Sequence, residues 1–512
     1  AELAALNAAG RATAFNHGAQ HLWVSAERLP ELQMVCAKGE ALTALKVFEP
    51  PADREIAVRE LVRSRLEGLG PVSANELAAP LELSNGDRDF ALAALESEGF
   101  AMQGHYSRSD TIEWCDRRLL ARIHRYTLKT LRESIEPVTV AVYWRFLKNW
   151  QSVGVDGREG AESLFQVIDE LQGFPLAAAA CERDILPARL KRYQSHWLDE
   201  LCASGRVVWQ RPWLTSVSHK GRQGPVAGTP VALFPRSDLS HWQSLWGPPV
   251  EPELSATAAK VRAVLAEGGA LFFLDIVQRT GTLRVRVEEA LGELVSHGLV
   301  TADSLMGLRA LLTPASKRPH FDNRRRRRRG GPGLDAAGRW SLTAPQLGEA
   351  TSREEVVENL AWMLLRRYGV VVRRALDREQ GLPSWRELLK VFRRLEARGE
   401  MRGGRFVSSL GGEQFALPDA VGELRKTKNL PKHGEITVLS AADPLNLVGI
   451  LSSGPRLPTV SSHRLVLLDG VPVASQGAGD LQWLADLSGE DRWRIQRRLQ
   501  TARAPAVRPA IS

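Results

Sequence analysis

A phrase of the form Leu-x-x-x-Gly, standing at the end of an amphipathic segment and before a short apolar run, recurs about every hundred residues in this chain. The copies are Leu95–Gly99, Leu201–Gly205, Leu294–Gly298 and Leu395–Gly399. Glycine readily adopts the positive φ that closes a helix, so each copy predicts a helix, a glycine cap and a turn into a strand. Repetition at this interval indicates an array of one module.

The fourth copy shows what the module is. A first amphipathic helix is predicted from Thr351 to Tyr368, and Ser384-Trp-Arg-Glu387 has the form of a capping box that opens a second. After Gly399, the pair Gly403-Gly404 suits a tight hairpin turn. Two helices and a basic hairpin make a winged helix, whose second helix usually enters the major groove of DNA while the wing contacts the backbone.

The other copies follow the same order of elements. In the third, helices are predicted over 256–267 and 271–278, and Thr282 opens a recognition-type helix. The second copy lies within a longer helical block, and the first ends in an acidic turn with Glu96 and Glu98, which favours a protein partner over DNA. Because winged helices also serve as protein-binding modules, DNA contact by any single copy stays open.

Basic side chains on the predicted recognition helices and wings are the candidate DNA contacts. They are Arg189, Lys191 and Arg192 in the second copy, Arg284 and Arg286 in the third, and Arg386, Lys390, Arg393, Arg402 and Arg405 in the fourth.

A strongly basic segment follows the third copy. It runs from 317 to 339 without an apolar period and contains Arg324, Arg325, Arg326, Arg327, Arg328 and Arg329, followed by Gly330-Gly-Pro-Gly333. This composition predicts a flexible connector. The net charge of the chain is +9, so most of the positive excess is local to the arginine run. The run attracts phosphates or solubilises a linker, and both interpretations stay open.

After residue 430 the pattern changes to short strands separated by Pro, Gly and Ser. They are predicted at Glu435–Leu439, Leu447–Leu451, His463–Leu468 and Val471–Ala474, with Asp469-Gly470 as a hairpin turn. Several short strands at this spacing suggest a small β-barrel. A helix is predicted from Asp480 to Arg498, followed by a frayed tail.

The predicted fold class is therefore α+β, mainly α, with tandem winged-helix domains followed by a small β-barrel. The predicted domains are an N-terminal connecting segment (1–51), winged helix 1 (52–108), a helical block with winged helix 2 (109–250), winged helix 3 (251–316), the basic Arg/Gly linker (317–340), winged helix 4 (341–422), the β-barrel (423–478), and a C-terminal helix and tail (479–512).

Several kinds of chemistry lack their motifs. The sequence has no G-x-x-x-x-G-K-[ST] loop for a triphosphate, no nucleophile elbow and no zinc-deaminase signature. Four well-separated cysteines, no clustered histidines and no long apolar run predict a cytoplasmic protein with reduced thiols, no metal, no cofactor and no membrane contact. Any reaction must use carboxylates or amides with water, as glycosidic cleavage does.

Longer phrases resemble a known family. Leu22–Leu29, Glu113–Ile123, Tyr143–Gln151, Arg398–Val407 and Ala442–Leu447 are similar to the C-terminal region of the bacterial large helicase-related protein, Lhr. The resemblance implies a superfamily 2 DNA repair helicase whose ATPase, with its ATP and Mg²⁺, lies in another part of the protein. It also implies similarity to AlkZ-type DNA glycosylases, which join tandem winged helices to a β-barrel, and an association with uracil-DNA glycosylase activity.

The same resemblance suggests two catalytic candidates. AlkZ-type enzymes carry Gln-apolar-Gln or Gln-apolar-Asp, and the nearest text here, Gln151-Ser-Val153, has valine at the third position. Gln151 is therefore one candidate, and Asp443 in the barrel phrase is the other. The alternatives are a capped helix end at Gln151 and a turn-forming Asp-Pro at Asp443.

Three functions follow as hypotheses. The first is a DNA-binding and oligomerisation module of a repair helicase, acting on single-stranded or duplex DNA as a homo-oligomer, with a tetramer implied by the family. The second is an active uracil-DNA glycosylase, and the third is a purely structural oligomerisation scaffold.

Deleting Arg324 to Arg329 is expected to weaken DNA binding to a similar degree for all sequences, because phosphate contacts carry no sequence information. The deletion should also flatten the dependence of log affinity on log salt concentration. Fluorescence anisotropy at several salt concentrations measures both effects. An unchanged salt slope would show that the run is only a linker.

Overall fold

A computed structural model describes residues 2–18, 20–43, 48–107, 110–154, 157–212, 227–246, 252–313, 334–343, 352–477 and 480–502. The chain divides into two compact units, Ala1–Ser134 and Ile135–Ser512. Arg324–Arg329 and the end of the C-terminal tail lie outside the described residues. Within the described ranges, no helix has the length and apolar character needed to cross a membrane.

The first unit contains six helices and two three-stranded antiparallel sheets among its described residues, in the orders β2-β1-β3 and β4-β6-β5. The elements are α1 (Glu2–Ala8), β1 (Ala12–His17), β2 (Gln20–Ser25), α2 (Leu29–Val35), β3 (Glu40–Ala41), α3 (Arg54–Gly68), β4 (Val72–Ser73), α4 (Ala74–Ala78), α5 (Asn85–Ser97), β5 (Ala101–Gly104), β6 (Glu113–Asp116) and α6 (Arg117–Glu133). Helices α3, α4 and α5 with the second sheet form the first winged helix.

The described residues of the N-terminal segment form helices and a three-stranded sheet, so the structure differs here from the predicted connecting segment. Phe15, Val24 and Leu32 share an apolar cluster with Leu61 of α3 and with Leu81. The sequence pattern does not predict this packing, because β1 and β2 are short and are buried against α3, a helix that comes later in the chain.

The second and third winged helices open the second unit. Their elements are α7 (Val140–Trp150), α8 (Gly160–Leu171), β7 (Leu176–Ala177), α9 (Ala178–Ala180), α10 (Ser195–Ala203), β8 (Val207–Gln210), β9 (Pro230–Pro235), α11 (Leu239–Trp246), α12 (Ala256–Gly268), β10 (Leu271–Phe272), α13 (Phe273–Thr280), α14 (Arg284–Ser296), β11 (Val300–Ala302), α15 (Met306–Leu312) and β12 (Arg339–Leu342). Their antiparallel sheets have the orders β7-β9-β8 and β10-β12-β11.

The fourth winged helix and a further sheet complete the second unit. The elements are α16 (Arg353–Tyr368), β13 (Val370–Val371), α17 (Trp385–Ala397), β14 (Arg402–Gly404), β15 (Gln414–Ala416), α18 (Pro418–Asn429), β16 (Ile436–Ser440), β17 (Arg464–Leu468), β18 (Val471–Gln476), β19 (Leu481–Trp483) and α19 (Gly489–Ala502). The sheet of the fourth winged helix has the order β13-β15-β14.

The repeated glycines close recognition-type helices, as predicted. Gly99, Gly205, Gly298 and Gly399 follow α5, α10, α14 and α17 with φ values of 69°, 75°, 71° and 78°. Ser384 caps α17 in the predicted capping box with Glu387. The periodic phrase therefore marks the point in each module where the helix gives way to the wing.

The basic segment is not a linker between modules. Strand β12, which follows it, is the central strand of the third winged helix, and Trp340 on that strand is fully buried. The third winged helix therefore extends to Leu342 rather than ending at 316, and the arginine run connects α15 to β12 within one module. Deleting the arginines would shorten the connection between α15 and β12, whereas replacing them keeps its length. Replacement therefore tests their charge with less risk to the fold.

The predicted hairpin turn at Gly403-Gly404 is also wrong, because both glycines lie within β14, opposite Phe415 and Gln414. A Cβ on Gly403 would lie 2.4 Å from Oε1 of Glu396, so this glycine is required by a close approach. The wing connection from 405 to 413 folds back onto the unit, where Val407 forms a parallel bridge with Val138.

The C-terminal strands form an open antiparallel sheet in the order β16-β17-β18-β19, and the described residues show no closed barrel. Asp469 and Gly470 make the predicted hairpin turn between β17 and β18, with φ of 48° and 79°. The predicted strand at Leu447–Leu451 is instead a set of buried turns. Its leucines pack into a core that the sheet shares with other modules.

That core joins α7 to the fourth winged helix, and Gly369 sits at its centre. Gly369 caps α16 with φ of 62°, and a Cβ there would lie 2.7 Å from Phe146 and 2.9 Å from Trp150. The missing side chain lets two aromatic rings of α7 approach the end of α16, which packs the second winged helix against the fourth.

Gly369→Ala is therefore expected to lower the free energy of unfolding of the second unit by about 2–4 kcal/mol, since it combines overpacking with a left-handed backbone. Denaturant titration followed by tryptophan fluorescence measures the change. Gly411→Ala is the control, because nothing lies within 4 Å of a Cβ built there. Equal midpoints for the two variants would contradict the expectation.

Candidate functional site

The two residues predicted to be catalytic meet on one guanidinium. Arg189 donates from Nη1 to Oδ2 of Asp443 at 2.7 Å and from Nη2 to Oδ1 at 2.9 Å. Its Nη2 also donates to Oε1 of Gln151 at 2.9 Å. Gln151 is the C-terminal cap of α7, Arg189 follows the π-helical turn at 181–185, and Asp443 lies in the turn after β16. We call these three residues the arginine junction.

The arginine junction is closed to solvent. Arg189 is 0% exposed, while Gln151 and Asp443 are each 1% exposed. The amide of Gln151 donates to the carbonyl of Arg367, and Asp443 accepts from the backbone N–H of Leu445. With their polar atoms engaged inside the protein, Gln151 and Asp443 cannot touch an extruded base in this conformation.

The geometry encloses all three residues. Asp443 and Arg189 are buried, and Arg189, predicted to contact DNA, pairs with Asp443 in this conformation. Gln151 accepts a hydrogen bond from Arg189, and a catalytic role for Gln151 or Asp443 stays a prediction. A bidentate Arg–Asp pair cannot be read from two residues 254 positions apart, so sequence spacing gave no signal for it.

A second buried cluster adjoins the junction through Arg367. This arginine pairs with Glu379, and the hydroxyl of Tyr368 donates to Glu379 at 2.7 Å. Burial, with the nearby Glu379 charge, raises the pKa of Tyr368 well above its usual range. Sequence reasoning missed this cluster, because Arg367 and Tyr368 look like an ordinary helix end before Gly369.

The two clusters fix the relative positions of three segments. Gln151 belongs to α7, Arg367 to the last turn of α16, and Asp443 to the turn that follows β16. Charged groups in an apolar interior are stable only when paired, so the pairing specifies how these segments meet. The chemistry of the junction is structural.

The recognition-type helix of the second winged helix faces protein. On α10, Asp199 accepts from the guanidinium of Arg309 at 2.7 Å and from the backbone N–H of Leu305. Both partners belong to the third winged helix. Lys191 and Arg192 are exposed but precede α10, and they do not lie on its face.

The corresponding helices of the third and first copies carry no unpaired cations. Arg284 on α14 pairs with Asp335 at 2.7 Å, and Arg286 pairs with Glu289 at 2.9 Å. On α5, Arg88 pairs with Asp89 at 2.8 Å. Each of these arginines already has a carboxylate, which reduces its attraction for phosphate.

Helix α17 differs from these three. Arg386 and Lys390 are exposed and form no ion pair with any residue that the structure describes. Arg393 on the same face pairs with Glu413 of the wing at 2.8 Å. Arg402 on β14 is exposed, and Arg405 is exposed and donates to the carbonyl of Ser408. Among the recognition-type helices that the structure describes, α17 is the one that presents exposed cations without an ion-pair partner.

Asp443→Asn is expected to lower the free energy of unfolding by about 3–5 kcal/mol, because it leaves Arg189 charged and without a partner in the interior. Replacing both residues, as in Arg189→Met with Asp443→Leu, should recover much of that loss. Denaturant titration measures the three chains. The control is Glu423→Gln, which breaks the exposed pair with Lys426 and should change stability little.

A matching midpoint for Asp443→Asn and Glu423→Gln would show that the junction contributes no more than a surface pair.

Comparison with known proteins identifies the modules. Residues 138–236 and 350–436 match two family models described as "Large helicase-related protein, winged-helix domain". The chain is 30% identical over 506 residues to "Lhr helicase/ probable uracil glycosylase" of Mycolicibacterium smegmatis, covering 94% of this chain and 32% of that protein. It is 31% identical over 465 residues to "Lhr helicase/uracil glycosylase" of Escherichia coli K12, covering 81% and 28%.

The chain thus spans about a third of the length of these curated relatives. The two domain matches fall on the second and fourth winged helices described above, and the similarity to the relatives extends over most of the chain. Together they show that this chain is a C-terminal Lhr-like region.

Proposed function

We propose that this chain is a DNA-binding module in which α17 of the fourth winged helix contacts the nucleic acid. The observation that carries the proposal is the presence of Arg386 and Lys390 as exposed cations without ion-pair partners among the described residues. An unpaired cation can neutralise a phosphate without first giving up a carboxylate, so this face can bind DNA without breaking an ion pair.

The packing of α17 supports the proposal. Leu388, Val391, Phe392 and Leu395 are buried on one side of the helix. Positions 386, 390 and 393 are spaced four and three residues apart, which places them together on another face. Because the apolar side is held by the core, the basic side is fixed toward solvent. Arg386 lies in the first turn, the part of a recognition helix that usually meets base edges.

The other modules support a division of roles. Helix α10 is engaged by the third winged helix, and the cations of α5 and α14 are paired. We assign these modules to holding the assembly together, with the arginine run as a second, sequence-independent phosphate contact. The helicase motor with its ATP and Mg²⁺ belongs, in this proposal, to the rest of the full-length protein.

Glycosylase activity and self-association as a tetramer stay predictions. The names of the two relatives include uracil glycosylase, which supports the first for those proteins. In this chain Gln151 and Asp443 could act on a base only after the arginine junction opens, since both are enclosed in it.

The double variant Arg386→Ala/Lys390→Ala is expected to bind duplex DNA at least tenfold more weakly at moderate salt. The slope of log affinity against log salt should fall by about 2, since each lost phosphate contact lowers it by about 0.9. Fluorescence anisotropy of a labelled duplex over a salt series measures both quantities.

The matched control is Arg425→Ala/Lys426→Ala, which removes the same charge from α18 in the same module. Lys426 already pairs with Glu423, so this variant should bind nearly as the parent does. If both double variants lose the same affinity and slope, the effect is one of net charge and α17 is not the contact.

A further inference from the structure

A groove of about 480 Å³ lies beside the arginine junction, between α8 and the end of α16. Trp150 and Phe165 contribute aromatic walls, and Gln166 contributes an amide. The volume is within the range of sites that hold small molecules. None of the functions assigned above uses this groove.

The charged groups of its lining are all paired. Arg158 forms a bidentate pair with Glu170 at 2.8 and 3.0 Å. Arg366 pairs with Asp169 at 2.9 Å, and Glu162 pairs with Arg206 at 2.8 Å. Because each of these charged groups faces a partner of opposite sign, the groove has little attraction for a phosphate. It suits a neutral ligand.

The indole of Trp150 is held in a fixed position. Its Nε1–H donates to the carbonyl of Arg366 at 2.7 Å. Phe146 stacks on it, with ring centres 5.5 Å apart and planes 27° from parallel. With its N–H satisfied and Phe146 packed on it, the part of the indole that lines the groove is an aromatic surface ordered in advance.

The polar group that a flat ligand would meet is Gln166. It is exposed on α8, and its amide forms no hydrogen bond with any residue that the structure describes. An amide presents a donor and an acceptor side by side, the pattern that pairs with the edge of a nucleobase. A phosphate would not stack on the aromatic wall, and an aliphatic ligand would not hydrogen-bond the amide.

We propose that this groove binds a single nucleobase, stacked on Trp150 and hydrogen-bonded to Gln166. A nucleobase offers the same ring face and the same hydrogen-bonding edge whether it is unstacked from a DNA strand or belongs to a free nucleoside. Either source therefore fits the proposal. The strand source rests on the proposed DNA-binding function, whereas the groove itself does not.

Filling the groove tests the proposal while leaving its aromatic walls, Trp150 and Phe165, unchanged. In the variant Gln166→Cys, a bulky maleimide can be attached at the opening. The four native thiols Cys36, Cys115, Cys181 and Cys202 are buried, and burial raises the pKa of each, to about 12 for Cys202, so the reagent should favour the new thiol. Ser244→Cys, exposed on α11, carries the same label as the control.

The probe is 2-aminopurine, whose emission is quenched when it stacks on an aromatic ring. One arm uses its free riboside, and the other uses a single strand carrying one 2-aminopurine between pyrimidines. The parent chain and labelled Ser244→Cys should quench the probe. Unlabelled Gln166→Cys should bind it a few-fold more weakly, and labelled Gln166→Cys at least tenfold more weakly. The affinity of each chain for the same strand, measured by fluorescence anisotropy, should stay within about twofold of the parent's.

Each outcome decides a separate point. Quenching by labelled Gln166→Cys equal to that of labelled Ser244→Cys would overturn the proposal, as would absence of quenching by the parent in both arms. Quenching of the strand alone supports a base presented by DNA, and quenching of the riboside supports the groove independently. If the parent chain quenches the riboside but does not raise the anisotropy of the strand, the DNA-binding function is rejected and the nucleobase site is retained.

Discussion

The Arg189–Asp443 ion pair ties the C-terminal sheet into the second unit. Arg189 carries a guanidinium with no exposed surface, and among the described residues it is Asp443, in the turn after β16, that neutralises it. An unpaired charge in that position would cost several kcal/mol, whereas a well-packed apolar pair would be at least as stable. The ion pair therefore contributes less to net stability than to the choice of arrangement. The C-terminal sheet must pack where Asp443 can pair with Arg189.

Four modules of one fold have diverged through the chemistry of their exposed helices. On α10, Asp199 pairs with Arg309 of a neighbouring module, and on α14 each arginine has an acidic partner nearby. On α17 the same fold presents Arg386 and Lys390 without partners among the described residues. The scaffold thus sets where a helix lies, and a few side chains decide whether it meets protein or nucleic acid.

Local features were readable from the sequence, and long-range ones were not. The glycine caps, the capping box at Ser384 and the hairpin turn at Asp469-Gly470 each depend on residues within a few positions, so pattern alone predicts them. The folded N-terminal segment, the strand β12 beyond the arginine run and the Arg189–Asp443 pair depend on partners far along the chain. Resemblance to the family's phrases made Gln151 and Asp443 candidates, but only the fold shows that both bind Arg189.

The shared cores have a consequence for the order in which the protein can form. Trp144, Phe146 and Leu147 of α7 pack with Leu364, Leu388, Leu447 and Leu467. A ribosome must therefore synthesise more than three hundred further residues after α7 before the core that contains this helix is complete. During this interval a large apolar surface is exposed to solvent or to a chaperone, and the second winged helix, although a module by its topology, cannot complete its packing as an autonomous domain.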